Sequence, residues 1–464
     1  MPNEPNRRRA FLKQAGALGL AGSLGRREAL GLAAALDGGG PVAPRPNEPN
    51  AKAAHLIVVF LSGGFSHVDT FDYKPRLKAD SGKVVASVSL REESRQPLMG
   101  SPFAFRQRGE SGLWVSELFP NLGGMVDDLC VIRSMHTDIV EHFQAVLAMH
   151  TGSATVPLPS LGAWLSYGLG TINPNLPPYV VLAEHLPYAG SQNWDSSFLP
   201  PAHQGVRIVP GREPIANLKS PARDATLAEL EHLMLRDLNE RHARARVGDA
   251  ELSARTATYT TARGLMREAP EVFDLSAETD ATLRLYGTGR ADRSSFAAQC
   301  LTARRLIERG VRAVELIDTG ASDNWDAHGD MQAHRPKALR VDHALAGLLT
   351  DLKQRGLLGQ TLVAVCTEFG RTPWTDAPGT KGRNHYARAF TCLLAGAGIK
   401  GGLAHGETDE YGIAIVKDPV HVHDFHATIL RVMGLDHTRL TYRYAGRDFR
   451  LTDVDGKVVE AVLV

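Results

Sequence analysis

The chain has 464 residues, of which 43% are hydrophobic and 22% charged, with 52 basic against 51 acidic side chains and a net charge of +1. This is globular composition with enough apolar material for a large core, which excludes a disordered or low-complexity chain. The balanced charge shows no basic face, so nucleic acid is not an expected partner. Neither a P-loop nor a GxGxxG fingerprint occurs, which argues against a nucleotide enzyme. Cys130, Cys300, Cys366 and Cys392 are scattered without metal-ligand spacing, mostly among apolar neighbours, and read as buried free thiols.

Residues 1–36 have the order of an export segment. Arg8-Arg9-Ala10-Phe11-Leu12-Lys13 has the form of a twin-arginine motif, and an Ala/Gly/Leu run from Ala15 to Gly25 follows it. Arg26-Arg27-Glu28 separates that run from a second apolar patch, Ala29–Leu36. Residues 37–54 are rich in Gly, Pro and Asn and read as a linker. The expected location is the periplasm or the extracellular space, reached through the twin-arginine translocase, with no stable membrane span once the signal is removed.

The folded domain is expected over 55–464. Leu56–Leu61 has the composition of a strand buried on both faces. It breaks at Ser62-Gly63-Gly64, and His67 and Asp69 follow as candidates for a site at that strand end. Residues 73–112 read as a surface excursion. A helix opens near Leu118–Leu122, and Leu129–Ile132 is a short strand. Glu141–His150 has helical spacing and stops at Thr151-Gly152, a glycine C-cap. His142 stands at the N-terminus of this helix, where free N–H groups and the helix dipole favour an anion. Leu161–Leu169 reads as a helix, Tyr179–Leu182 as a strand and 190–201 as a loop. Residues 225–285 read as two or three long helices, an insertion with a largely solvated charged face.

Ser294–Glu308 is a further helix and Val311–Ile317 a strand. The strand runs into Asp318–Asp330, the densest polar strand end in the chain. There Asp323, Asp326 and His328 can converge on one metal. The helix Lys337–Arg355 leads through a glycine turn into Leu362–Cys366, the central apolar strand. That strand ends in Thr367-Glu368-Phe369-Gly370-Arg371, and the Gly379–Gly382 loop then delivers Asn384-His385. In open α/β sheets ligands bind beyond the carboxyl ends of the strands, so Glu368, Arg371 and His385 belong at the mouth of a site. Phe390–Leu394 is a strand, Asp424–Met433 a helix, and the tail a small hairpin. Strands alternating with helices predict a doubly wound, mostly parallel α/β sheet.

Six segments carry a resemblance: V-F-L-S-G-G-F-S-H-V-D-T-F-D, I-R-S-M-H-T-D, M-H-T-G, N-W-D-A-H-G, T-E-F-G-R-T-P and G-R-N-H-Y-A-R-A-F. Spread in this order over about 55–435, they resemble a bacterial exported family known as domain of unknown function 1501. That family is in turn similar to the alkaline phosphatase and sulfatase superfamily. The resemblance implies a doubly wound sheet with metals at its carboxyl edge that polarise a phosphate or sulfate ester. It implies that Asp326 (or Asp323), His328 and His385 are kept metal ligands, with Glu368 or Asp323 as an additional one. His142 falls at the position of the superfamily nucleophile, as attacking group or general base, and Arg371 at that of an anion clamp. Two departures stand out. Ser62-Gly63-Gly64 replaces the paired aspartates after the first strand, where His67 or Asp69 would have to substitute for a second metal site. Glu368-Phe369 replaces an Asp-His pair.

The expectation is therefore a metal-dependent hydrolase-like protein. The divalent ion would be zinc or manganese, with calcium or magnesium also admitted by the carboxylates. The substrate would be a small anionic ester or a sulfated or phosphorylated polysaccharide. The alternative is a catalytically degenerate anion-binding or assembly protein of the same fold.

Overall fold

The computed structural model describes residues 48–85, 87–88, 93–94, 96–211, 213–215, 224–247 and 249–464. The expected export segment therefore lies outside the described residues, as does most of the linker. Nine strands form the central sheet: β1 (His55–Phe60), β2 (Leu129–His136), β3 (Tyr179–Ala183), β4 (Val206–Ile208), β5 (Ala313–Ile317), β6 (Thr361–Cys366), β7 (Phe390–Gly396), β8 (Leu403–His405) and β9 (Val420–His421). Their order is β8-β2-β7-β6-β1-β5-β3-β4, with β9 also pairing on β2. Only β7 runs against the rest, through antiparallel ladders to β6 and β2; β1 is parallel to both β6 and β5.

The strand sequences explain why helices cover both faces. Within β1, Ile57 and Val59 enter one apolar core while Leu56 and Phe60 enter the other. β6 divides in the same way, with Val363 and Val365 against Leu362, Ala364 and Cys366. Strands of this kind, apolar at every position, are stable only between two layers. One layer contains α6 (Phe296–Glu308) and α7 (His334–Gln354); the other contains α1 (His142–Thr151), α2 (Leu161–Leu169) and α8 (Val422–Val432). The fold is a doubly wound, mostly parallel α/β sheet. The insertion supplies two long helices, α3 (Ala225–Arg244) and α4 (Ala250–Phe273), and the short α5 (Asp280–Tyr286).

The tail hairpin forms at Tyr442–Tyr444 and Arg447–Phe449. All four cysteines are free and buried. Among the described residues, no helix is long and apolar enough to cross a membrane.

Candidate metal centre

Four chain segments leave the carboxyl ends of β1, β2, β5 and β6 and meet above the sheet. α1 starts after β2 with His142 as its first residue and ends at Gly152, whose φ of +72° makes the left-handed cap that only glycine takes without strain. The helix is pinned to the sheet from below. His150 on α1 lies with its Nε2 2.6 Å from Oε1 of Glu315 in the middle of β5, and Tyr179 of β3 donates its hydroxyl to the same carboxylate. His142 is thereby held at a fixed height over the strand ends.

The loop after β5 and the loop that carries His385 run side by side. Arg383 N–H donates to Ala327 O at 3.0 Å, Lys381 N–H to Gly329 O at 2.9 Å, and Met331 N–H to Lys381 O at 3.0 Å. This ladder requires close approach, since a Cβ on Gly382 would stand 2.0 Å from the His328 carbonyl oxygen. A second, two-residue ladder pairs Gly370-Arg371 with His385-Tyr386. Together they place His328, His385 and Arg371 around Asp326.

Each of the three imidazoles is anchored through Nδ1 and turns Nε2 inward. His385 Nδ1 donates to the Val140 carbonyl at 2.7 Å, which leaves a lone pair on Nε2. His142 Nδ1 is 2.7 Å from Glu368 Oε1. His328 Nδ1 is 3.2 Å from Asp376 Oδ2. The inward nitrogens crowd Asp326: His328 Nε2 is 2.8 Å and His385 Nε2 3.4 Å from Oδ1, and His142 Nε2 is 3.3 Å from Oδ2. His328 Nε2 and His385 Nε2 are 3.1 Å apart. His142 Nε2 is buried and meets Asp326 outside good hydrogen-bond alignment.

Electron-pair donors that face one another in this way call for a cation between them. The His385–Asp326, His142–Asp326 and His328–His385 separations lie near the roughly 3.3 Å edge of a tetrahedron of ligands at zinc-like bond lengths. Among the described residues, His142, Asp326 and His385 are the one group whose ligand atoms all lie within 4.8 Å of each other. His328 lies outside that group and borders it through its Nε2 contacts to Asp326 and His385. An imidazole that binds metal through one nitrogen and gives the other N–H to a carboxylate or carbonyl is the usual second-layer arrangement, and Glu368, Asp376 and Val140 O fill that part here.

Electrostatics keep the donors ready. Burial opposes ionisation of Asp326, but the three histidines and Arg371 outweigh it and hold the carboxyl far below the usual range. Glu368 is likewise held down: burial pushes it up, and the contact with His142 prevails. Burial lowers the His385 pKa, which favours the neutral, metal-binding imidazole. Burial also works to lower His142, yet its contacts with Asp326 and Glu368 prevail and raise it. In His328 the hydrogen bond to Asp326 is the leading cause of a raised pKa. Without an ion, protons occupy the centre; with one, they must leave.

The sequence-predicted residues divide accordingly. His142, Asp326, His328 and His385 meet. Glu368 is fully buried behind His142 and also accepts from Gly63 N–H at 2.9 Å, so it supports a ligand and does not point into the centre. Arg371 is fully buried: it donates to the Gly63, Gly64 and Arg383 carbonyls and to Asp326, so it orients that carboxylate and is not open as an anion clamp. Asp323 does not belong to the site; its side chain is 91% exposed and pairs with Lys337 at 3.1 Å. Asp69 is taken by Arg383 in a buried two-point ion pair, and His67 Nε2 lies 3.1 Å from Gly412 O, so neither adds a donor to the cluster.

Sequence reading missed three residues. Asp376 anchors His328. Tyr188 lies flat on the His142 ring, centroids 4.4 Å apart and planes 5° from parallel. Asn324 donates through Nδ2 to the Tyr188 oxygen at 3.3 Å and accepts from Asp326 N–H at 3.0 Å. Only Asn324 carried a signal, its place within the polar strand end. Phe369, which follows Glu368 after β6, packs its ring on both His142 and His385.

No curated protein matches the chain. Among solved structures it is similar to the lipoteichoic acid synthase LtaP from Listeria monocytogenes, at 8% identity over 88% of this chain and 78% of that one, with a TM-score of 0.36. It is also similar to a protein in the alkaline phosphatase superfamily from Vibrio parahaemolyticus, at 12% identity over 89% and 76%, TM-score 0.37. A third is the alkaline phosphatase from the Antarctic bacterium TAB5, at 9% identity over 84% and 99%, TM-score 0.35. These likenesses are distant. The family model is another matter: the one described as "Protein of unknown function (DUF1501)" matches residues 53–463, and the chain belongs to that family.

Proposed function

We propose that this protein is an exported, metal-dependent hydrolase of phosphate or sulfate esters that works with one divalent ion held by His142, Asp326, His328 and His385. The observation that carries the reading is the convergence of three Nδ1-anchored imidazoles on Asp326, with His142 Nε2 buried 3.3 Å from Asp326 Oδ2. A set of three nitrogens and one carboxylate suits zinc or manganese better than calcium or magnesium. Once bound, the ion supplies Lewis acidity toward the ester oxygens.

The chain's own groups do the rest. No side chain caps α1, so its first N–H groups are available to the ester's anionic end beside His142. Tyr188 accepts from Asn324, which frees its own O–H to donate toward the same place. Burial, and then the negative Asp326 and Glu368, raise its pKa and keep that proton in place, while the contact with Asn324 works the other way. His142 has one nitrogen on Glu368 and the other in the cluster, so it acts as a ligand and water is the attacking group. A sulfated or phosphorylated polysaccharide is the larger substrate in view, and the twin-arginine motif at Arg8-Arg9 supports export.

Metal analysis of the purified protein tests the core of this. About one tightly held transition metal per chain is expected, and none in an Asp326→Ala, His328→Ala double variant. A native protein without metal sinks the reading. A metal-loaded protein inert on a broad panel of phosphate and sulfate esters favours an anion-binding role for the same pocket. For export, a reporter fused after residue 50 should stay in the cytoplasm when Arg8 and Arg9 are both changed to Lys.

A further inference from the structure

The insertion helix α3 is built inside out. Ala228, His232, Asn239 and Ala243, spaced to share one face, are its half-buried positions. Its apolar residues point the other way: Leu227, Leu230, Leu233, Met234, Leu235 and Leu238 are each 39% to 66% exposed. On a 3.6-residue period Leu227, Leu230, Met234 and Leu238 form one stripe along about 17 Å of helix, and Leu233 and Leu235 flank it on either side. A soluble chain rarely leaves such a stripe open, and its usual meaning is an interface.

Charge says which occupant fits. Residues 224–233 carry three carboxylates (Asp224, Glu229, Glu231) and no Lys or Arg. Residues 236–246 carry four arginines (Arg236, Arg241, Arg244, Arg246) against two carboxylates (Asp237, Glu240). The helix is thus acidic at its start, at −3, and basic at its end, at 4 − 2 = +2. The exposed pairs Arg236–Glu240, Arg241–Asp237 and Arg244–Glu240, and the pair of Glu229 with Arg263 of α4, are too solvated to cancel this. A second α3 laid antiparallel sets acidic end against basic end and opposes the two helix dipoles favourably; a parallel copy sets like against like. A two-fold axis perpendicular to the helices generates this antiparallel pair. The helix proper, 225–244, has three arginines against four carboxylates, so an anionic lipid surface gains nothing from it.

We propose that two copies of this chain pair antiparallel through the leucine stripe of α3, with α4 behind each, as a four-helix bundle. The bundle lies in the insertion, so it joins two α/β bodies without using the metal centre.

Sedimentation of the purified protein from about 1 to 100 µM tests this, concentrations that span ordinary dimer affinities. A dimer of twice 50.2 kDa is expected. A Leu230→Glu, Met234→Glu, Leu238→Glu variant should be monomeric, with unchanged metal content and melting temperature. Single cysteines fix the direction, because all four native thiols are buried. Met234→Cys, at the middle of the stripe, should oxidise to a covalent dimer, whereas Leu227→Cys should not, since in an antiparallel pair its counterpart lies near the far end. The proposal falls if the wild type is monomeric throughout, if the triple variant still dimerises, or if Leu227→Cys cross-links as readily as Met234→Cys. It also falls if the protein is monomeric and sediments with anionic vesicles.

Discussion

His142 and Glu368 show how much one contact decides. The imidazole spends its Nδ1–H on a fully buried carboxylate, which fixes the tautomer and aims Nε2 at Asp326. Glu368→Gln keeps the shape but removes the charge that makes His142 a strong donor, so metal affinity should fall about 10- to 100-fold while the fold survives; competition against a chelator measures it. Tyr188→Phe should act on the other ligand. Metal content should stay native, while inorganic phosphate, as a competitive anion, should bind the metal-loaded protein about tenfold more weakly for one lost hydrogen bond. His142→Ala should empty the site; activity lost with metal retained would restore His142 as the attacking group. At this scale Asp326, His328 and His385 were legible in the sequence because each lies in a polar run directly after an apolar strand. Glu368, Arg371 and Asp323 carry the same signal, which gives Glu368 and Asp323 as further ligands and Arg371 as an anion clamp. What separates them is burial and direction, with Arg371 turned under Asp326 and Asp323 turned to solvent. Sequence spacing records neither.

The elements that bring these residues together depend on close backbone approaches, and glycine marks them at Gly382 and Gly63. Gly63 sits at φ +107°, and a Cβ there would be 2.6 Å from the Asn324 side chain and 2.7 Å from Trp325 N. Arg371 can reach the Gly63 and Gly64 carbonyls only because that turn is bare. The Arg371 guanidinium stands against this stretch as a fixed positive charge. Gly63→Ala therefore has no room and the wrong backbone region. It should cost about 2 kcal/mol or more of stability and loosen Asp326, read as a lower urea midpoint together with weaker metal binding. Strands and helices flanking the site were legible to within a few residues. The loop ladder along Arg383–Ala327 was not, because it joins segments more than fifty residues apart through backbone groups that every sequence has. Along α3 the charged side chains are exposed, and so are the leucines beside them; only packing against the body reveals which face is free.

At the scale of the whole molecule, two closed apolar cores leave ionisable groups where water cannot follow, and the cost appears as a pH dependence. His334 starts α7 against the edge of Trp325 with both ring nitrogens unpartnered, and His426 on α8 gives Nε2–H to the Met149 carbonyl at 2.7 Å. Burial lowers both pKa values from 6.5 to about 3. Between these limits the unfolded chain takes up two protons that the folded chain refuses. The unfolded state binds more protons, so stability rises with pH across the window and drains away as pH falls below 6.5. Each histidine contributes about 1.4 kcal/mol per pH unit. The measurement belongs in the metal-free Asp326→Ala protein, where metal release cannot imitate the effect. Urea unfolding from pH 6.5 to 5 should lose stability steeply, and His426→Gln, which keeps a donor for Met149 O, should recover about 2 kcal/mol of the loss by pH 5. An unchanged slope in that variant would mean that His426 already carries its proton when folded, and that the core around α8 admits water.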